Sequence, residues 1–165
     1  FLKIPDIYYK RLLVMSKFND YNRKGQQKVM NILPNLFSGC TLNFEQHIDD
    51  NGKVDIFMSA TTQTRMYKYA IEAKDRWYTH NYFDTWVLEE DKYKELMKHY
   101  ENGYKPIYFN TFSDGKYLVW DLSKTDCTHT GNLTTPKTTV EDRGKVTRKR
   151  IFLPVSGATY SGTTY

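Results

Sequence analysis

Apolar residues fall at Ile7, Leu12, Leu13, Val14, Met15 and Phe18, and again at Val29, Met30, Ile32 and Leu33, with the polar run NDYNRKG between them. That spacing predicts two helices within residues 6–33. Gly25 opens the second, and Pro34 with Asn35 ends it, because proline disfavours helical backbone at the residue before it. From residue 41 to 74 the texture changes to short β-prone runs, TLNFEQHI, KVDIFMSA and MYKYAIEAK, separated by DDNG and TTQTR. This reads as a three-stranded meander, and DDNG is a hairpin turn, since Asn51 and Gly52 tolerate the positive φ such turns need.

A helix is predicted over about residues 88–102, where Leu88, Tyr93, Leu96, Met97 and Tyr100 recur at helical spacing and Gly103 supplies the stop. Two strands follow, KPIYFNTF and KYLVWDLS, joined by the turn SDG. Beyond Lys124 the chain is polar, threonine-rich and weakly periodic, which predicts a long loop or arm with at most one short ribbon. Within it IFLPV is apolar enough to dock on the core, whereas SGATYSGTTY has the composition of a mobile tail.

Strand alternation gives this pattern its chemistry. In MYKYAIEAK the residues Lys68, Ala70, Glu72 and Lys74 share one face, and Tyr67, Tyr69, Ile71 and Ala73 the other. In KVDIFMSA the residues Val54, Ile56 and Met58 face one way and Asp55 the other, so pairing of the two strands brings Asp55 beside Glu72. Two converging carboxylates repel unless something positive joins them. A hard divalent cation taking oxygen ligands does so, and Lys74 alone also neutralises the pair. Taken by themselves, Glu72 and Lys74 also fit an ordinary ion pair on a wet sheet face.

Length and charge narrow the rest. A chain of 165 residues is sized for one domain, and Cys40 and Cys127, far apart and without clustered histidines, offer neither a zinc site nor a disulfide framework. We expect a reducing, cytoplasmic setting. No apolar run reaches the roughly 18–20 residues that cross a bilayer, and FLKIPDIYYK lacks a signal peptide's apolar centre. A net charge of +5 and pI near 9.0 are compatible with a polyanionic partner. The aromatic content of 16%, fourteen of those residues tyrosine, is what core-filling strands require, so it adds nothing to that inference.

The pattern Val54-Asp55, a turn, then Ile71-Glu72-Ala73-Lys74 resembles the PD-(D/E)XK nuclease signature, set in the same order of helix, three-stranded meander, helix and strand. The resemblance covers about residues 22–122. It implies an α/β fold with a restriction-endonuclease-like core: a mixed central sheet in α-β-β-β-α-β order, flanked by helices, with residues 125–165 as a polar extension. It further implies that Asp55, Glu72 and the carbonyl of Ala73 hold Mg²⁺ or Mn²⁺, while Lys74 orients or deprotonates the attacking water. Val54 stands where the motif commonly has proline. Many members carry a glutamate on the first core helix; here that stretch offers Gln26 and Gln27, and Gln27 is the expected weak helper. Glu45 is an alternative, but a turn at residues 49–52 sets it on the face opposite Asp55.

Just past the motif, Arg76 is a candidate for phosphate binding and Trp77 and Tyr78 for base stacking, with His80 a candidate auxiliary base. On the following helix Lys92, Lys94, Lys98 and His99 alternate with Glu89, Glu90, Glu95 and Glu101, which predicts a solvated face of i to i+4 pairs with no further role. Arg143, Lys145, Arg148, Lys149 and Arg150 form a cluster with little acidic compensation after Asp142 and are candidates for a DNA-gripping arm. The expectation from sequence is therefore a metal-dependent endonuclease acting on DNA; a third reading, an RNA-processing nuclease, uses the same site. By analogy with the family it is a homodimer. The alternative is a catalytically silent module of the same fold that binds nucleic acid or a protein partner.

Overall fold

The computed structural model describes residues 6–46, 54–136 and 144–164, with side chains described from residue 20 onward except those of residues 21 and 46. Helix α1 (Asp6–Leu36) leads into strands β1 (Thr41–Gln46), β2 (Ile56–Thr61), β3 (Met66–Arg76) and β4 (Thr85–Glu89). Helix α2 (Glu90–Glu101) follows, then β5 (Tyr104–Phe112), β6 (Lys116–Asp121), β7 (Thr130–Pro136), β8 (Lys145–Pro154) and β9 (Tyr160–Thr163). Six strands form one mixed sheet in the order β1-β2-β3-β5-β6-β9, in which only β3 and β5 run parallel. A parallel pair cannot be joined by a hairpin, and β4 with α2 provides the crossover. The chain is thus α/β, as the sequence predicts.

Strand β3 lies in the middle of this sheet and is covered on both sides. Its Tyr69, Ile71 and Ala73 pack with Val29, Ile32 and Leu33 of α1, while Ala70 packs with Leu96 of α2, Trp86 and Leu88 of β4, and Ile151 and Leu153 of β8. Strands β4, β8 and β7 make a second, three-stranded antiparallel sheet on the α2 side. Among the described residues no helix is long and apolar enough to cross a membrane.

The structure corrects three of the sequence expectations. Residues 6–33 form part of one helix. Gly25 lies buried within it, and a Cβ there would sit 3.3 Å from the Cβ of Asp75, so the glycine serves close approach of α1 to β3 and does not begin an element. The proline at 34 falls within the last turn, where the helix is about to end in any case. Trp86 and Leu88 alternate inward as strand β4, and the helix begins only at Glu90. The polar arm carries the expected ribbon, β7 with β8, docked through Ile151 and Leu153 of IFLPV, but the tail, expected to be mobile, forms β9 on the edge of β6, where Gly162 leaves room for the Tyr117 ring. Its small residues are what that packing requires. The predicted turn at residues 49–52 lies outside the described residues.

Candidate functional site

The β2–β3 ladder ends with Ile56 opposite Ile71. Val54, instead of sharing the face of Ile56 and Met58 as strict alternation requires, packs into the other apolar cluster with Ala70. The strand therefore bends at residues 54–55. Beyond that opening the backbone N–H of Ala73 donates to Asp55 Oδ2 at 2.8 Å, so a carboxylate takes the ladder position that a backbone carbonyl has left. Gln26 of α1 donates to the other oxygen, Oδ1, over a longer 3.4 Å. The expected helper Gln27 is instead exposed and bonds Asn31 one turn along the helix. The helix offers both amides, and its phase against β3 selects Gln26.

Glu72 is fully buried on the α2 side of the sheet. Its oxygens have no hydrogen-bond partner of regular geometry and are met by two ammonium groups: Lys74 Nζ lies 2.8 Å from Oε1 and Lys92 Nζ 3.0 Å from Oε2. Burial alone would raise the Glu72 pKa, but the two lysines outweigh it and hold the group below the usual carboxylate range. For Lys74 burial opposes the charge, and the carboxylates of Glu72 and Asp55 more than reverse that, so its ammonium stays protonated. Asp55 is the opposite case. Burial, then the like charge of Glu72, pushes its pKa up to about 6 against the pull of Lys74, Lys92 and the Ala73 N–H. Two neighbouring carboxylates thus have their titrations driven apart, an arrangement typical of sites that assign different roles to similar groups.

These residues have the donors that a hard cation needs. Among the described residues Asp55 bonds only to neutral amide donors, so its charge is less directly compensated than that of Glu72. Turning the Gln26 amide by 180° puts its oxygen where its nitrogen stands. Glu72 can share a cation only by releasing one of its ammonium partners. Among the described residues no group of three histidine, cysteine, aspartate or glutamate side chains gathers to hold a metal, so the acidic part of the site is a pair.

Lys92 was assigned to the solvated helix face and is the residue that sequence reasoning missed. The signal was present in the phase: Lys92 lies four residues before the buried Leu96, on the inward stripe, whereas Lys94 pairs with Glu90 and Lys98 with Glu95 as expected. Glu45 also moves. It stands opposite Phe57 and not Ile56, one residue off the register that a tight turn at residues 49–52 gives, which places it, exposed, on the side of Phe57, Ala70 and Glu72.

The residues expected to contact nucleic acid divide. Arg76 is tied into the scaffold: it donates to Tyr108 Oη, to the Val87 carbonyl at 3.1 Å and to Asn110 Oδ1 at 3.3 Å, and lies over the Trp86 ring. His80 is held through Nδ1 by Asp114 at 2.7 Å. Trp77 and Tyr78 are exposed, at 75% and 48%. On β8 the compensation that the local sequence lacks comes from the β4–α2 junction: Arg148 and Arg150 both pair with Glu89, at 2.9 and 2.7 Å, and Lys149 with Glu90 at 2.8 Å. Lys145 is exposed, and Arg143 lies outside the described residues. Arg148, Lys149 and Arg150 thus tie β8 to the β4–α2 junction through ion pairs. Compared with known protein families, with curated proteins and with solved structures, the chain matches none.

Proposed function

We propose that the protein is a metal-dependent nuclease built on a restriction-endonuclease-like core, hydrolysing phosphodiester bonds of DNA at Asp55, Glu72 and Lys74. The observation that carries this reading is that Asp55, bonded to the Ala73 N–H, stands beside the strand segment that holds the Glu72–Lys74 ion pair, at the point where β2 bends away from β3. The order of one helix, three antiparallel strands, a crossover helix and a parallel strand accords with it. A divalent cation such as Mg²⁺ or Mn²⁺, held by Asp55, Glu72 and the Ala73 carbonyl with Gln26 beside them, supplies Lewis-acid polarisation of the phosphoryl group when bound.

The chain's own residues do the positioning. Lys74, kept protonated by Glu72 and Asp55, is a donor and not a base: it orients the attacking water and meets the charge that grows on the phosphoryl oxygens. Lys92 holds the second oxygen of Glu72 and so fixes the carboxylate's orientation. The test is incubation with supercoiled plasmid, single-stranded DNA and RNA in Mg²⁺, Mn²⁺ or EDTA, beside Lys74→Ala. Metal-dependent cleavage that the variant loses is expected; cleavage equal in EDTA, or none with any substrate, overturns the proposal.

One observation favours a second reading, a catalytically silent module of the same fold. Both Glu72 oxygens are already ion-paired with lysines, and the helix contributes an uncharged amide. Calorimetric titration with Mn²⁺ separates the two, since a silent module gives no heat that depends on Asp55.

A further inference from the structure

Four aromatic side chains stand exposed just after β3: Trp77 at 75%, Tyr78 at 48%, Tyr82 at 61% and Phe83 at 45%. Three of them cluster, and Trp77 precedes Tyr78 in the chain. Tyr78 and Tyr82 lie 4.7 Å apart between ring centres, Tyr82 and Phe83 4.7 Å, and Phe83 rests 5.4 Å from the buried Trp86. The loop that carries them is pinned to the β5–β6 hairpin, where Ser113 donates to the Tyr78 carbonyl and Asp114 accepts from His80, and Trp86 Nε1 donates to the His80 carbonyl. The surface of Tyr78, Tyr82 and Phe83 is thus fixed in place ahead of any ligand, and Trp77, next to it in the chain, comes only three residues after Lys74, about 10 Å along an extended chain.

The other border of the same end is basic. Gly25 abuts Asp75 and Lys28 pairs with it at 2.6 Å, while Val29, Ile32 and Leu33 pack with Tyr69 and Ile71 earlier in β3. Helix α1 therefore runs antiparallel to β3, and the turn preceding Gly25 extends past Asp75 to the end where Trp77 follows. That turn carries Arg23 and Lys24, both exposed, with Lys24 and Lys28 one helical turn apart on one side. Exposed rings beside cations match a ligand that offers π faces together with phosphates. In a duplex those faces are stacked away, and only an unpaired strand presents them.

We propose that Trp77 and Tyr82 are a stacking platform for unpaired bases, that Arg23 and Lys24 take the neighbouring phosphates, and that the nucleic acid entering the site is single-stranded there. As a statement about substrate this rests on the nuclease reading; as a statement about binding it is independent of it. The experiment is fluorescence anisotropy in EDTA and low salt with a labelled oligothymidylate of about 15 nucleotides and a blunt duplex of equal length. The strand is expected to bind at least about tenfold tighter than the duplex. Trp77→Ala and Tyr82→Ala each weaken it about 5- to 100-fold, while Trp77→Phe retains most of the affinity. Lys24→Ala lowers the salt dependence by about one phosphate contact. Duplex bound as tightly as the strand, no binding of either, or indifference to both aromatic substitutions overturns the proposal. Strand binding of this kind by a protein that cleaves nothing leaves the platform standing and removes the nuclease reading. Cleavage of blunt duplex, unaffected by Trp77→Ala, does the reverse.

Discussion

Replacing Asp55 by asparagine should make the protein more stable at neutral pH. The carboxyl titrates at about 6 in the fold against an ordinary value of 3.8, a difference of about two units. At about 1.4 kcal/mol per unit that is about 3 kcal/mol as an upper figure, and about 1–2 kcal/mol once solvent screening of this half-buried side chain is included. The sign follows from proton binding. A folded pKa above the unfolded one means that the native state holds the proton more tightly, so ionised Asp55 destabilises the fold above pH 6. The penalty fades as pH falls through 6 and is gone below 3.8. Asparagine carries no charge, keeps an oxygen for the Ala73 N–H, and can donate to Gln26 once that amide turns. Urea denaturation followed by tryptophan fluorescence, for wild type and Asp55→Asn near pH 7.5 and again near pH 4, measures the effect. The variant should be ahead by about 1–2 kcal/mol at the higher pH and nearly level at the lower. A variant that is less stable near pH 7.5, or an advantage that grows on acidification, refutes the assignment of Asp55 as the uncompensated charge. Added Mn²⁺ should raise the stability of wild type and leave Asp55→Asn unmoved.

Gln26→Glu places a helix carboxylate beside Asp55 and, on the nuclease reading, should raise Mn²⁺ affinity by at least about tenfold in a calorimetric titration, whereas Gln27→Glu, on the exposed side, should change nothing. Gly25→Ala should be nearly neutral, the gain in helix propensity offsetting a 3.3 Å approach to Asp75. Gly25→Leu has no such room and should cost about 1–3 kcal/mol in urea. Glu89→Gln leaves the buried Arg150 guanidinium without its carboxylate and should lower stability by about 1–3 kcal/mol, with a further loss when Thr135, its remaining side-chain partner, is also truncated.

Strand alternation made Glu72 and Lys74 legible as one-faced neighbours on β3, which is covered on both faces, so that a charged residue there has to be explained by a partner. The same rule failed at Val54, where the strand bends, and a bend is a property of the pairing with β3 and not of the residues KVD themselves. Strand β4 escaped notice because five residues running directly into a helix share its apolar spacing over a single turn. The β8 cations looked uncompensated since Glu89 and Glu90 lie some sixty positions earlier, and ion pairing across that distance follows from the β4–β8 ladder alone.

The unequal sharing of two lysines between two carboxylates links stability to the proposed chemistry. Had Lys74 and Lys92 each taken one acid, both groups would be neutralised and neither would hold affinity in reserve. Both instead contact Glu72, which fixes a buried charge that would otherwise be intolerable, and Asp55 keeps only amide donors. The free energy that raises the Asp55 pKa is released by any positive charge that settles against it, whether a proton or a divalent cation. At pH 7 the proton is scarce, so the cation has the advantage; below pH 6 the proton competes. On the nuclease reading, Mn²⁺ affinity therefore falls with acidification through pH 6, and the same interaction that weakens the empty fold is the one that draws the metal in.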